Sequence, residues 1–279
     1  MSIQLAVLGN PVEHSRSPEI HGLFGAQCGI ELDYKKVLVP TGKFAQTADD
    51  FLQNGIGFNV TVPCKQDAYH YVDHLDEAAR QGQAVNTVSR DQDGRLLGSN
   101  TDGAGLVSDM TRNLGWSLTG ARILVVGAGG AVAGVLPALL SGNPAAIHIY
   151  NRTPEKAQQL VSHLGQAQVE AIEKSQLQDA YDIVINGTSA SLAGHLPDLP
   201  AQVLDKNSRC YDMVYAAHTT AFNAWCEQQA DCETADGLGM LVEQAALSFS
   251  IWFDRKVDTG PVLKSLRNST SQNNFEESK

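Results

Sequence analysis

The segment Arg122–Val132, RILVVGAGGAV, sets an aliphatic run directly against a glycine-rich turn, and the residues after it stay uncharged to Leu140. By period and composition, Arg122 to Val126 reads as a strand, Gly127 to Gly130 as a turn, and Ala131 to Leu140 as a helix. A glycine fingerprint is informative in that strand–turn–helix setting. Gly127 permits the tight turn, and Gly129 lets backbone approach a pyrophosphate seated on the helix N-terminus. A dinucleotide is therefore the expected ligand of Gly127, Ala128, Gly129, Gly130 and Ala131. The third position of G-x-G-x-x-G is Val132, neither Gly nor Ala, so close helix–strand packing must be solved in another way. Ile123 to Leu140 approaches the length of a membrane span, but its glycines and Pro137 divide it, and no span is expected.

Working outward, the next strand, Ala146 to Tyr150, ends in Asn151-Arg152-Thr153, with Lys156 one helical turn on. An NAD site usually carries an acid here, about 20 residues past the turn, to hold the ribose 2′-hydroxyl. No acid is present. A guanidinium grips a 2′-phosphate with paired hydrogen bonds, where a carboxylate would repel it. The position favours NADP(H). Pro154 to Leu164 (helix), Asp182 to Ile185 and Cys210 to Val214 (strands) continue a doubly wound pattern.

Upstream, strands are expected at Gln4–Leu8, Tyr34–Val39 and Gly57–Val62, with a hairpin from Val85–Arg90 and Arg95–Gly98. Helices are expected at Pro18–Cys28 behind an N-cap Ser17, from an N-cap Thr41 to Gln53, and from Thr101 to about Leu114. Downstream, Asp236-Gly237-Leu238-Gly239 opens a long apolar helix to Phe253, followed by an amphipathic segment Val262–Leu266. The expected fold is α/β in two domains. Residues 1–101, completed by 238–267, form a mixed α/β substrate domain; residues 102–237 form a Rossmann-type NADP domain, with a cleft between them. The polar residues 268–279 are expected to be a disordered tail.

Composition agrees. A length of 279 residues suggests about two domains, and 43% apolar with 18% charged residues argues against intrinsic disorder. The net charge of −11 argues against nucleic acid as a partner but permits an anionic small ligand in a locally positive pocket. Five scattered cysteines without a CxxC pair make a disulfide framework or zinc knuckle improbable, and no His/Cys ligand cluster suggests a metal. MSIQLAVLGN has no basic region before its apolar run, so no signal peptide is expected and a cytoplasmic location is.

Four further segments bear chemistry. NPVEHSRSP, Asn10 to Pro18, brings the hydroxyls of Ser15 and Ser17 to a helix start, where they and free N–H groups could hold a carboxylate. FNVTVPCK, Phe58 to Lys65, sends Asn59 and Thr61 to one strand face and puts Lys65 just past the strand's end, where open α/β sheets bind ligands. AVNT, Ala84 to Thr87, starts a strand with Asn86. GSNTDG, Gly98 to Gly103, puts Asp102 at a helix N-terminus, where the commonest role is a cap.

Together with VVGAGGA, NRT and ADGLGMLVEQA, these motifs resemble the shikimate dehydrogenase family, in its order and spacing, from about Leu8 to Phe253. The resemblance implies reversible NADPH-dependent reduction of 3-dehydroshikimate to shikimate, in the shikimate pathway of aromatic amino-acid biosynthesis and so in chorismate biosynthesis; the sequence leaves open a monomer or homodimer. It implies Lys65 as catalytic acid/base with Asp102 as its partner, and Ser15 and Ser17 on the substrate carboxylate. Asn59, Thr61, Asn86, Tyr215 and Gln244 would surround the ring. The cofactor would be held by Gly127 to Ala131, Asn151, Arg152, Thr153, Lys156, Thr188, Met213 and Gly237, with Glu77 sometimes counted near its nicotinamide end. Many family members carry an Arg just after GAGGA; Val132-Ala133 stands here, leaving Arg152 and Lys156 to supply the positive charge. Such a ketone reduction needs a proton donor where charge develops on oxygen, which a protonated Lys65 supplies. The rival readings are a quinate/shikimate dehydrogenase of mixed specificity and a non-catalytic ligand-binding protein on the same scaffold. The Ser15/Ser17 pair with Arg152 leans away from the first, and the intact Lys65 and Asp102 lean away from the second.

Overall fold

The computed structural model describes residues 2–188, 190 and 194–277. The first half of the chain forms β1 (Ile3–Gly9), α1 (Ser17–Cys28), β2 (Leu32–Leu38), α2 (Phe44–Leu52), β3 (Gly57–Val60) and α3 (Lys65–Tyr71). It continues with β4 (His74–Leu75), α4 (Glu77–Gly82), β5 (Thr87–Arg90), β6 (Leu96–Ser99) and α5 (Asp102–Ser108), which a π-helical turn extends over Asp109–Asn113. The second half begins with β7 (Arg122–Val126), α6 (Gly130–Ser141), β8 (Ala146–Tyr150), α7 (Pro154–Leu164), β9 (Val169–Ile172) and β10 (Ile183–Asn186). It ends with β11 (Arg209–Asp212), α8 (Ala221–Ala230), β12 (Glu233–Asp236), α9 (Leu238–Phe253) and α10 (Thr259–Glu277).

These elements fall into two units, residues 1–105 with 241–269, and residues 106–240 with 270–279. In the first, the sheet order is β2-β1-β3-β5-β6-β4. Strands β1, β2 and β3 are parallel, and β5 pairs antiparallel with β3 and with β6. Its core gathers Ala6, Leu8, Phe58, Val60 and Val88 from three adjacent strands, with Val85 just before β5. Each fully buried Val, Leu or Phe among them contributes roughly 1.5–3 kcal/mol relative to leaving it in water. In the second unit every strand pair is parallel and the order is β12-β11-β10-β7-β8-β9. That is the doubly wound dinucleotide-binding arrangement, with its switch point between β7 and β10. The central strands read as apolar runs because both faces are covered: Ile123, Leu124 and Val125 are fully buried. The uncharged stretch after Ile123 is split between β7 and α6, and among the described residues no helix is long and apolar enough to cross a membrane.

Several boundaries differ from the sequence reading. Helix α1 begins at Ser17 itself, with Arg16 at the cap position and no side-chain cap. Helix α2 begins at Phe44 and not behind Thr41, because Gly42 at φ +72° makes a turn first. Strand β3 ends at Val60, which leaves Thr61 beyond it. The chain divides after Gly105, not after Thr101, so Asp102 lies in the same unit as Lys65. The expected disordered tail instead continues α10 as far as Glu277, since no glycine or proline follows Pro261 to stop it; residues 278 and 279 lie outside the described residues.

Candidate active site

Within the first unit, α3 opens on Lys65 and α5 opens on Asp102, each just past a strand. The Lys65 Nζ donates to Asp102 Oδ2. Asp102 Oδ1 accepts from Asn86 Nδ2 at 2.9 Å, and the Asp102 N–H donates to Asn100 Oδ1 at 3.1 Å. The Lys65 side chain is 22% exposed and that of Asp102 9%. The carboxylate is thus held from within while the ammonium keeps an open side. Asp102 is more than the cap its position suggested, because both of its oxygens are taken by Lys65 and Asn86.

Asn86 is the hub. Its Nδ2 lies 2.8 Å from Thr101 Oγ1 and 3.2 Å from Gln244 Oε1, besides Asp102. Its Oδ1 accepts from the Thr101 N–H and the Thr87 hydroxyl, each at 2.9 Å. Gln244 reaches this point because α9 lies against α5 in contact so close that a Cβ on Gly105 would meet the Gln244 backbone at 2.7 Å. One helical turn on, Ser248 Oγ lies 2.7 Å from Thr87 Oγ1 and accepts from Asn59 Nδ2 at 3.0 Å.

Asn59 lies in the interior of this network. Its Oδ1 accepts from the Tyr34 hydroxyl at 2.7 Å and faces His21 Nε2 at 3.2 Å, and its Nδ2 also reaches the Asn86 carbonyl and Thr87 Oγ1, both at 3.1 Å. Its polar atoms are therefore saturated by protein at 6% exposure. Ser15 and Ser17 come together, Oγ to Oγ at 3.1 Å, and the Ser17 hydroxyl also reaches Tyr34. Thr61 is half-buried just past β3. Tyr215 belongs to the second unit, half-buried beyond β11.

His21 gives this network a pH signature. Its ring is fully buried and stacks on Tyr34, centroids 4.7 Å apart, and burial pushes its pKa down to about 3 against a smaller opposing effect of the Asn59 hydrogen bond. An unfolded imidazole titrates near 6.5, so on acidification the unfolded chain takes a proton that the folded one refuses. The stability tied to neutral His21 is complete above about pH 6.5 and declines as the pH drops toward about 3. The expected result is that His21→Gln flattens the acid side of a plot of urea midpoint against pH; an unaltered acid limb would show that the loss has another source.

In the second unit, the Gly127 backbone has φ +114°, which only glycine adopts without strain, and a Cβ there would meet Thr188 Cγ2 at 3.2 Å and the Gly187 carbonyl carbon at 3.3 Å. Gly129 stands at the cap of α6 with no side-chain cap, which leaves the first N–H groups of the helix for an anion. Gly187, just past β10, receives the side chain of Val132, which would collide with any Cβ there. The small residue missing from the third fingerprint position is therefore supplied by the facing loop. Thr188 is fixed by Asn186, whose Oδ1 accepts from its hydroxyl at 2.7 Å. Asn151 Nδ2 donates to the Thr153 carbonyl at 2.7 Å, shaping the turn past β8. Arg152 and Lys156 are both exposed and, among the described residues, neither forms an ion pair. At the far end of the same carboxyl edge, Gly237 packs on the Met213 backbone so tightly that a Cβ has no room, and its N–H donates to the Val214 carbonyl at 3.1 Å. Glu77 is the exception. It lies in the first unit, exposed, with its carboxylate on Arg80 at 3.2 Å.

Comparison with known proteins bears on both halves. The family model for the shikimate dehydrogenase substrate binding domain matches residues 7–88, that for shikimate / quinate 5-dehydrogenase matches 109–197, and that for the shikimate 5′-dehydrogenase C-terminal domain matches 237–267. A protein of Cellvibrio japonicus named Shikimate dehydrogenase (NADP(+)) is 51% identical over 265 residues, covering 94% of this chain and 96% of its own. The chain belongs to the shikimate dehydrogenase family. Among solved structures, an Ael1 enzyme from Pseudomonas putida is 37% identical with a TM-score of 0.90, covering 95% of this chain and 98% of its own. The shikimate 5-dehydrogenase of Thermus thermophilus, solved with NADP(H) and shikimate, is 29% identical with a TM-score of 0.86, covering 95% and 99%.

The motifs shared with shikimate dehydrogenases name the residues that meet at Asn86, but not those behind them. His21, Tyr34 and Ser248 emerge only from the structure, as do the bonds of Thr87 and Thr101 to Asn86, though both residues lie within the quoted motifs. Ser248 had one local signal, its place four residues after Gln244 and hence on the same face of α9.

Proposed function

We propose that this chain catalyses the reversible, NADPH-dependent reduction of 3-dehydroshikimate to shikimate, a step of aromatic amino-acid biosynthesis, as an oxidoreductase acting on a CH–OH group. The observation that carries the reading is the Lys65–Asp102 pair, open on the lysine side and backed by the amides of Asn86 and Gln244. NADPH supplies the hydride when bound. As the carbonyl becomes an alkoxide, the Lys65 ammonium stabilises the growing charge and delivers the proton; in the oxidative direction a neutral Lys65 takes it back. Asp102 keeps the ammonium in place and offsets its charge, and Asn86 holds Asp102. The hydroxyls of Ser15 and Ser17 suit a carboxylate, and Gln244 with Thr61 suits a polyhydroxylated ring. Part of the role expected of Asn59 passes to its neighbours, since its own amide is saturated. Glu77, paired with Arg80, contributes little to the cofactor in this reading. The protein acts in the cytoplasm, as a monomer or homodimer.

The residues of the second unit fit NADP. The turn Asn151-Arg152-Thr153 past β8 holds no acid, and the exposed Arg152 and Lys156, in no ion pair among the described residues, offer charge to a 2′-phosphate. Arg152→Ala should raise KM for NADPH about tenfold, the scale of one lost charge-assisted pair, and spare kcat at saturation. An unchanged preference for NADP over NAD would reassign the phosphate contact. The direct test of the function follows NADPH absorbance with and without 3-dehydroshikimate, beside quinate with NAD. Oxidation of NADPH that requires 3-dehydroshikimate is expected; none with that substrate, or a stronger signal from quinate and NAD, would defeat the assignment.

A further inference from the structure

The junction of β12 and α9, Gly237 with the first helical residues 238–240, is braced by a buried acid outside the site described above. Asp109 is 2% exposed and sits in the π-helical turn after α5. Its Oδ2 accepts from the Tyr211 hydroxyl at 2.7 Å, and its Oδ1 accepts from Asn113 Nδ2 at 2.8 Å. The same Tyr211 oxygen accepts the Met240 N–H at 3.3 Å. The Asp109 carboxylate occupies the space that a Cβ on Gly239 would need. Burial and the neighbouring carboxylate both push the Tyr211 pKa well above its usual value, so the hydroxyl stays a donor to Asp109. A buried carboxylate carries a desolvation cost unless it is fully hydrogen-bonded, and here it is held where it shapes that junction.

The junction stands at the carboxyl ends of β11 and β12, where Gly237 touches the Met213 backbone. In a doubly wound sheet each half takes one mononucleotide. Arg152 follows β8 and marks that half for the adenosine 2′-phosphate, which leaves β10, β11 and β12 facing the nicotinamide half. We propose that Asp109, acting through Tyr211 and Gly239, is a positioning residue for the nicotinamide half of the cofactor site. This rests on the NADP-dependent reading above and adds a residue to it.

Two ligands separate positioning from plain stability. NADPH spans both halves; adenosine 2′,5′-bisphosphate occupies only the Arg152 half. In the full-length protein, Asp109→Ala should weaken NADPH about tenfold, the equivalent of a hydrogen bond or two, and leave the bisphosphate Kd unchanged. Asp109→Asn, which keeps an acceptor for Tyr211, should recover part of the loss. Gly239→Ala should share the Asp109→Ala signature, because its methyl displaces the carboxylate. Tyr211→Phe serves as the probe if Asp109→Ala does not fold. Parallel weakening of both ligands, or no change in either, overturns the proposal. A wild-type protein that binds neither ligand overturns the functional reading along with it, whereas normal wild-type binding with unaltered variants overturns this inference alone.

Discussion

Lys65→Ala should lower kcat about 10²-fold or more, the usual scale of general acid–base catalysis, while KM for 3-dehydroshikimate changes far less. Lys65 is the first residue of α3, and its carbonyl accepts the Val85 N–H at 3.0 Å, so alanine leaves the backbone tie to the Asn86 segment intact. What disappears is the proton source and the charge opposite the developing alkoxide. Asp102→Asn tests the other half of the pair: it keeps the volume and a link to Asn86 but leaves the ammonium without its counter-charge. If the two act as a unit, the double variant is no slower than Lys65→Ala alone. The measurement is initial velocity at saturating NADPH and ketone. Wild-type turnover in Lys65→Ala would remove the lysine from the mechanism, and fully multiplicative losses would mean that Asp102 acts independently of it.

Gly187→Ala should destabilise the protein by about 1–3 kcal/mol, the usual cost of overpacking a tight contact. Val132 is fully buried and its side chain already fills the place of a Cβ at Gly187. The added methyl drives the first turn of α6 away from the switch point, and the same displacement moves its N–H groups from the pyrophosphate. Both a lower Tm, by about 2–10 °C for a chain of this size, and a higher KM for NADPH are expected. Val132→Ala alone opens a small cavity and costs about 1 kcal/mol. In the Gly187→Ala background it should restore most of the lost stability, because it recreates the alanine that the fingerprint usually has at that position. Additive losses in thermal melts would show that the two residues do not share one space.

Local patterns carried much of this molecule. The boundaries of β7, β8 and α7 coincide with the sequence reading, because aliphatic period, an N-terminal proline and a following glycine are local signals. The sequence reading passes over α3, α4, β4, β9, α8 and β12, and two of these have weak local signals. Strand β4 is two residues long and exists by pairing with β6. Strand β12, Glu-Thr-Ala-Asp, is a polar edge that, among the described residues, pairs only with β11. The start of α1 was misjudged for the opposite reason: Ser17 is a good cap in isolation, but its hydroxyl turns to Ser15 and Tyr34.

By itself the sequence determined the dinucleotide turn, the absence of an acid from the Asn151-Arg152-Thr153 turn past β8, and the motifs that place the chain among shikimate dehydrogenases, since each is written in contiguous residues with a short-range mechanism. Only the tertiary structure decided that Lys65 meets Asp102 across 37 positions, that Asn86 meets Gln244 across 158, and that Gly187 makes room for Val132. Those contacts depend on which helix packs on which strand. That is set by the summed burial of two cores, not by the residues that profit from it.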